Sequence, residues 1–184
     1  MSLISLLGVE DGGFIPFQPN QKTLLCAVNM IGDIIQGVKL GSITVDGLDS
    51  TDVLLSLVVN IRIDAVILGG ASFAGFNVID AQKLNRELDV PIIVYSGTEP
   101  NSNSVLAALK VNFSDWEERW TLIEHLGKIY SAVTKAGYPP IYYEIVGESP
   151  SWAEEILSTS ATLTRIPEPV RVAGLIARGL SRSV

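Results

Sequence analysis

Hydrophobic and polar positions follow two rhythms along this chain. Apolar runs rich in β-branched residues at 3–9, 22–31 and 34–45 predict three strands. The first stops at Glu10-Asp11-Gly12-Gly13, and a polar loop carrying Pro16 and Pro19 follows. Gly32-Asp33 between the second and third has the make-up of a two-residue hairpin turn, so the three should form an antiparallel meander. From Asp49 onward the period becomes helical: Val53, Leu54, Leu57 and Val58 share one helix face behind Asp49 or Ser50 as N-cap, with an end near Asn60. A short apolar strand at 64–68 ends in Gly69-Gly70, a helix runs from Asn77 or Asp80 to about Leu88, and Val90 to Tyr95 is a further strand. Strand, helix, strand, helix, strand at this spacing is the parallel half of a mixed sheet.

Beyond Gly97 the pattern is looser. Ser114-Asp115-Trp116-Glu117 has the form of a capping box, opening a helix to about Leu126 with Trp116, Trp120 and Ile123 spaced for core packing. Segments 128–135 and 141–146 read as a β-pair around Gly137-Tyr138-Pro139-Pro140. Ser149-Pro150 opens a helix to about Ser158, and Pro167-Glu168-Pro169 opens a last one over 168–180. There is no internal repeat or linker, and the reading is one α/β domain over 1–184.

Composition narrows the class. Hydrophobic residues make up 47% and charged residues 18%, enough apolar surface to offset the entropy of ordering a core. No apolar run reaches membrane-spanning length, no basic region precedes the first apolar stretch, and Cys26 is the sole cysteine. A soluble, cytoplasmic protein is expected. Twenty acids against thirteen bases give −7, which argues against coating nucleic acid nonspecifically. The last twenty residues differ: Arg165, Arg171, Arg178 and Arg182 face only Glu168, a local +3 against −10 elsewhere. That segment could meet phosphate or be the solvated face of a terminal helix.

The acids cluster. Glu10 and Asp11 end the first strand, and Asp46, Asp49 and Asp52 follow the third. If these strands are neighbours, their carboxylates converge at one sheet edge, the arrangement that holds Mg²⁺ or Mn²⁺ beside a phosphate. Each also has a structural reading, because Asp11-Gly12 and Asp46-Gly47 are turn dipeptides and Asp49 an N-cap. The small-residue loop from Gly69 to Asn77 follows a parallel strand, where ligands often bind, yet it fits neither the dinucleotide nor the phosphate-loop pattern. His125 stands alone, Cys26 reads as a buried apolar residue, and a hydrolase built on Ser72 or Ser96 lacks a local base.

Three segments resemble a known family: Gly8-Val9-Glu10-Asp11-Gly12-Gly13-Phe14, Phe73-Ala74-Gly75-Phe76-Asn77-Val78-Ile79-Asp80, and Arg165-Ile166-Pro167-Glu168-Pro169-Val170-Arg171-Val172-Ala173. With Ile43 to Gly47 and Asp115 to Trp120, the chain is similar to a mainly archaeal family, domain of unknown function ninety-nine, related to endonuclease V. The resemblance implies an RNase H-like fold, a five-stranded mixed sheet (strands one to three antiparallel, four and five parallel) with helices on both faces. It matches endonuclease V's Gly-x-Asp with Gly8-Val9-Glu10, and its second acid falls near Asp46 or Asp49. The third acid, from an Asp-Gly pair, is Gly69 here, and the residue closing the Pro-Glu-Pro-x-Arg-x-Ala motif is Gly174. The expectation is a nucleic-acid-associated protein with a reduced acidic site. Glu10, Asp11, Asp46 and Asp49 would serve catalysis, Glu10, Asp11 and Asp46 would hold Mg or Mn, and Arg165, Arg171 and Arg178 would contact nucleic acid weakly. The alternative is a non-catalytic binding protein, a homodimer or partner of another chain, that keeps the fold.

Overall fold

Alternation along the buried strands sorts side chains onto two cores. The computed structural model describes residues 4–16 and 21–181; Leu3, Pro19 and Arg182 lie outside them. Strands β1 (Ser5–Asp11), β2 (Lys22–Ile31) and β3 (Ile34–Thr44) pair antiparallel, with Gly8 opposite Val28 and Cys26 opposite Leu40. Gly32 turns the second hairpin with φ of 57°, the left-handed conformation glycine adopts at no steric cost. Helix α1 (Ser50–Leu57) leads to β4 (Ala65–Leu68), which runs parallel to β1 and is buried at every position, as a central parallel strand requires. The small hairpin β5 (Ser72–Phe73) and β6 (Asn77–Val78) precedes α2 (Ala81–Leu88), capped as expected by Asp80. Strand β7 (Ile92–Ser96) then lies parallel to β4. Helices α3 (Ser102–Asn112) and α4 (Trp116–Glu124), strands β8 (Tyr130–Ala132) and β9 (Ile141–Val146), and helices α5 (Pro150–Ser160) and α6 (Glu168–Ser181) complete the chain.

The sheet order is β3-β2-β1-β4-β7-β9-β8. Its first five strands are the expected mixed sheet, but the count is seven, because β9 pairs antiparallel with the outer edge of β7. The reason is that β7 is apolar on both faces, and leaving its edge open would expose unpaired backbone beside hydrophobic side chains. On one face Leu7, Val9, Val66, Leu68 and Val94 pack against Leu54 and Leu84 of α1 and α2. On the other, Ile67, Ile93 and Tyr143 meet Ala153 and Leu157 of α5, while Cys26 and Val28 meet Ala173 and Ala177 of α6.

Helix α6 comes unusually close to β1. A side chain at Gly8 would overlap the backbone of Pro169 and Val170, so the first turn of α6 rests directly on that strand. Helix α3 has no counterpart in the sequence reading: only Leu109 is buried along it, and Asn101 caps it by accepting from the Ser104 amide at 3.0 Å. The α4 expectation also changes. Trp116 and Trp120 are only half-buried, whereas Arg119 between them is 5% exposed, and the Asp115 side chain binds Arg119 instead of capping the helix.

Candidate nucleic-acid site at the ends of strands one and four

Glu10 is held where three elements meet. It leaves the end of β1 on the face covered by α6, and its carboxyl lies over Gly69 at the end of β4, where a Cβ would fall 2.5 Å from it. From α6, Arg178 folds its guanidinium across Gly174 and reaches the Glu10 carboxylate at 3.8 Å. The two glycines that by resemblance stand in place of an Asp and of a His or Asp are thus filled by a carboxylate and a guanidinium from neighbouring positions. Burial pushes the Glu10 carboxyl up to about 7, the adjacent Asp11 charge adds to this, and Arg178 partly offsets it.

Asp11 points to the opposite side of the strand, as the pleat dictates. It accepts the Ala74 amide at 2.5 Å, and burial raises its carboxyl despite that bond. Asp46 grips the same stretch, accepting from the Phe76 amide at 2.9 Å while its own amide donates to the Ala74 carbonyl at 2.8 Å. This stretch needs such support, since Ala74 and Gly75 both have positive φ, 47° and 86°. The structure therefore brings Asp11 and Asp46 to one loop, on the far side of the sheet from Glu10.

Asp49 is committed elsewhere. It accepts the Thr44 amide at 3.0 Å, the Thr44 hydroxyl at 2.8 Å and the Asn77 amide at 2.6 Å. Burial pushes this carboxyl up, but those donors outweigh it and hold it below the usual range. Asp52 pairs with Lys83 at the surface. Sequence reasoning missed two residues that build the loop: Asn77, fully buried, joins Thr44, Asp49 and Ser50, and Arg119 donates to the carbonyls of Gly47 and Phe76 while forking onto Asp115. Both lie in segments that carry the resemblance, but a lone amide or a charged helix residue has the pattern of surface, so neither is assigned to the site from sequence.

The arginines play separate parts. Arg171 is bound bidentately by Glu168 at 2.8 and 2.5 Å, one turn back on α6. Arg165 donates to the Pro140 carbonyl at 2.8 Å. Arg178, half-exposed, is the one that reaches the acid.

Among the described residues no group of three or more His, Cys, Asp or Glu side chains converges on one point. A resident metal cage held by protein alone does not fit. Glu10 on one face and Asp11 with Asp46 on the other share no point, so Mg²⁺ or Mn²⁺ would be held by at most one carboxylate and completed by substrate phosphate.

The model of the family described as Endonuclease dU matches residues 2–181. The chain belongs to the Endonuclease dU family. It is 37% identical over 183 residues to a UPF0215 protein of Methanosarcina mazei, spanning 97% of this chain and 91% of the relative. A UPF0215 protein of Pyrococcus furiosus is 31% identical over 185 residues, spanning 97% and 93%. Among solved structures, a protein of unknown function from Archaeoglobus fulgidus superimposes with a TM-score of 0.84 at 29% identity, covering 96% of this chain and 98% of that one. Endonuclease V of Ciona intestinalis, in complex with DNA containing an inosine, gives 0.60 at 16% identity over 99% and 87%. Human endonuclease V gives 0.61 at 16% over 98% and 85%. The Endonuclease dU fold is therefore the RNase H-like fold of endonuclease V, with β9 and β8 continuing the sheet beyond β7. No described helix is long and apolar enough to cross a membrane.

Proposed function

We propose that this chain acts on deoxyuridine-containing nucleic acid at the edge formed by Glu10, Gly69, Gly174 and Arg178, and that its cleavage is slow. The family description supplies the substrate, and the meeting of Glu10 with Arg178 over two glycines supports the site. Arg178 is exposed enough to exchange its carboxylate partner for a substrate phosphate, which releases Glu10. A carboxyl near 7 is well matched to accept a proton from water at neutral pH. The water oxygen then attacks phosphorus, its proton passes to Glu10, the bridging P–O bond breaks, and the leaving oxygen is protonated by solvent. Mg²⁺ or Mn²⁺ brought in with the substrate phosphate would neutralise its charge. Gly69 and Gly174 offer no further carboxylate or imidazole, which is the reason for a low rate.

The test is single-turnover nicking of labelled oligonucleotides carrying one deoxyuridine, one deoxyinosine or neither, with Mg²⁺ or Mn²⁺. Slow nicking at deoxyuridine that Glu10→Gln abolishes is expected. Turnover near ~1 s⁻¹ would overturn the reduced site. A second reading rests on the Arg178–Glu10 pair itself, which closes the carboxylate: a non-catalytic nucleic-acid-binding protein, shown by retained binding without nicking.

A further inference from the structure

A second buried carboxyl stands apart from the site above. Glu144, on β9, is 7% exposed, and its side chain shares the sheet face of its neighbours Val94 and Val146. It lines a cavity of about 140 Å³ enclosed by Ser72 and Phe76 of the glycine loop, Val94 and Ser96 of β7, and Val105 of α3. Among the described residues its carboxyl accepts from its own backbone amide alone, and burial pushes it up to about 7. Glu144 is the one charged side chain among the described residues that line the cavity. Tyr95, the other titratable residue along the cavity, belongs to the core of the opposite face, with its hydroxyl beside Gly97.

A carboxyl with a single backbone donor has hydrogen-bonding capacity left over, and the cavity beside it gives a ligand access to that capacity. The cavity limits what that ligand is. Apolar cavities of ~150 Å³ take up benzene, so this space admits one six-membered ring and excludes a fused two-ring purine. Three strand spacings separate β9 from β1, so Glu144 lies ~14 Å along the sheet from Glu10, at the same end but on the opposite face, and a bound strand would cross the strand ends to reach both.

We propose that this cavity receives a single-ring base turned out of the stack, with Glu144 reading the donor–acceptor edge of uracil. The inference rests on the nucleic-acid reading above and adds the residue that selects the base. A carboxyl that keeps its proton presents one donor and one acceptor side by side, the complement of an N–H beside a C=O. A 5-methyl group would overfill the ring-sized space, which separates uracil from thymine. Flipping is cheapest for a mismatched base, so the cavity samples damaged sites first.

The experiment measures binding of labelled oligonucleotides carrying one deoxyuridine, thymidine or deoxyinosine at the same position, at about pH 5.5 and 8.5, each read as a ratio to undamaged DNA so that general binding cancels. Wild type should prefer deoxyuridine, with the preference falling about tenfold at the higher pH as Glu144 ionises. Glu144→Gln keeps a donor and an acceptor, and should retain the preference without the pH dependence. Glu144→Leu should lose it while still binding DNA. Preference retained in Glu144→Leu, or equal preference for deoxyinosine, overturns the proposal and leaves the nucleic-acid reading standing. If wild type binds no oligonucleotide, that reading falls. Titration with free uracil, followed through the backbone amides of 71–76 and 94–96, then judges the cavity alone: shifts confined there support it, and their absence overturns it.

Discussion

Replacing Glu10 with Gln should make the protein more stable at alkaline pH while removing its activity. Moving a carboxyl from 4.5 to about 7 costs its ionised form about 3 kcal/mol in the folded state. Between those two values the folded protein holds a proton that the unfolded chain has released, so stability falls as pH rises through this window. The penalty is absent below about 4.5 and complete above about 7. Glu10→Gln removes it, so the variant should match wild type near pH 4 and exceed it by up to about 3 kcal/mol near pH 8, roughly 6–12 °C in Tm for a chain of this size. Glu144 imposes a similar slope, but it is present in both proteins and cancels in the difference. Arg178→Ala should act in the opposite sense, losing no more than about 1 kcal/mol at pH 8 and nothing at pH 4, because its ion pair is long and half-exposed. The assay is thermal or urea unfolding across pH 4–8, run with nicking on the same preparations. A Glu10→Gln variant equal to or less stable than wild type at pH 8 would refute burial as the cause of the raised carboxyl. A gain in stability coupled to lost activity is the pattern expected where function retains a group that the fold disfavours.

Three further outcomes follow from single contacts. Gly8→Ala should fold poorly or lose well over ~3 kcal/mol, seen by circular dichroism and yield, because the new methyl meets backbone of α6 that cannot step aside. Arg119→Lys should cost about 2–4 kcal/mol in urea unfolding, since an ammonium cannot span the Asp115 fork and the carbonyls of Gly47 and Phe76 together; full stability would show that the loop does not depend on it. Nucleic-acid binding should show a slope of log K against log salt of ~−2, which Arg178→Ala reduces by about one and Arg171→Ala leaves nearly unchanged, because Glu168 already neutralises Arg171; an equal loss in both variants would refute that division.

Much of the fold was legible from the sequence because strands and helices write their periods locally. Residues 22–31 form a strand with the predicted bounds, Gly32 makes the expected turn, and the parallel half of the sheet follows from alternating elements. Helix α3 escaped because it buries a single leucine and leaves almost no amphipathic signal, although Asn101 followed by Val105, Leu106 and Leu109 was a usable mark. The segments 128–135 and 141–146 read correctly as a pair, but a strand pattern says which face is buried, not which edge it joins, so a seven-stranded sheet could not be foreseen.

The candidate site divides along the same line. Sequence named the acids and the two glycines. It could not say what each face of β1's end meets, Arg178 for Glu10 and the Ala74 amide for Asp11, or that Asp49 and Asp46 are held by loop donors from residues 44 and 76. Glu144 was hidden in the run Ile-Tyr-Tyr-Glu-Ile-Val, where an acid reads as an outward strand position. Only the packing of α3 and the glycine loop over β7 and β9 turns it inward to a cavity. Local order is a property of neighbours in the chain, which a sequence carries explicitly. The charge state and partners of a side chain depend on what lies across space from it, and that is settled only when the strands find their order.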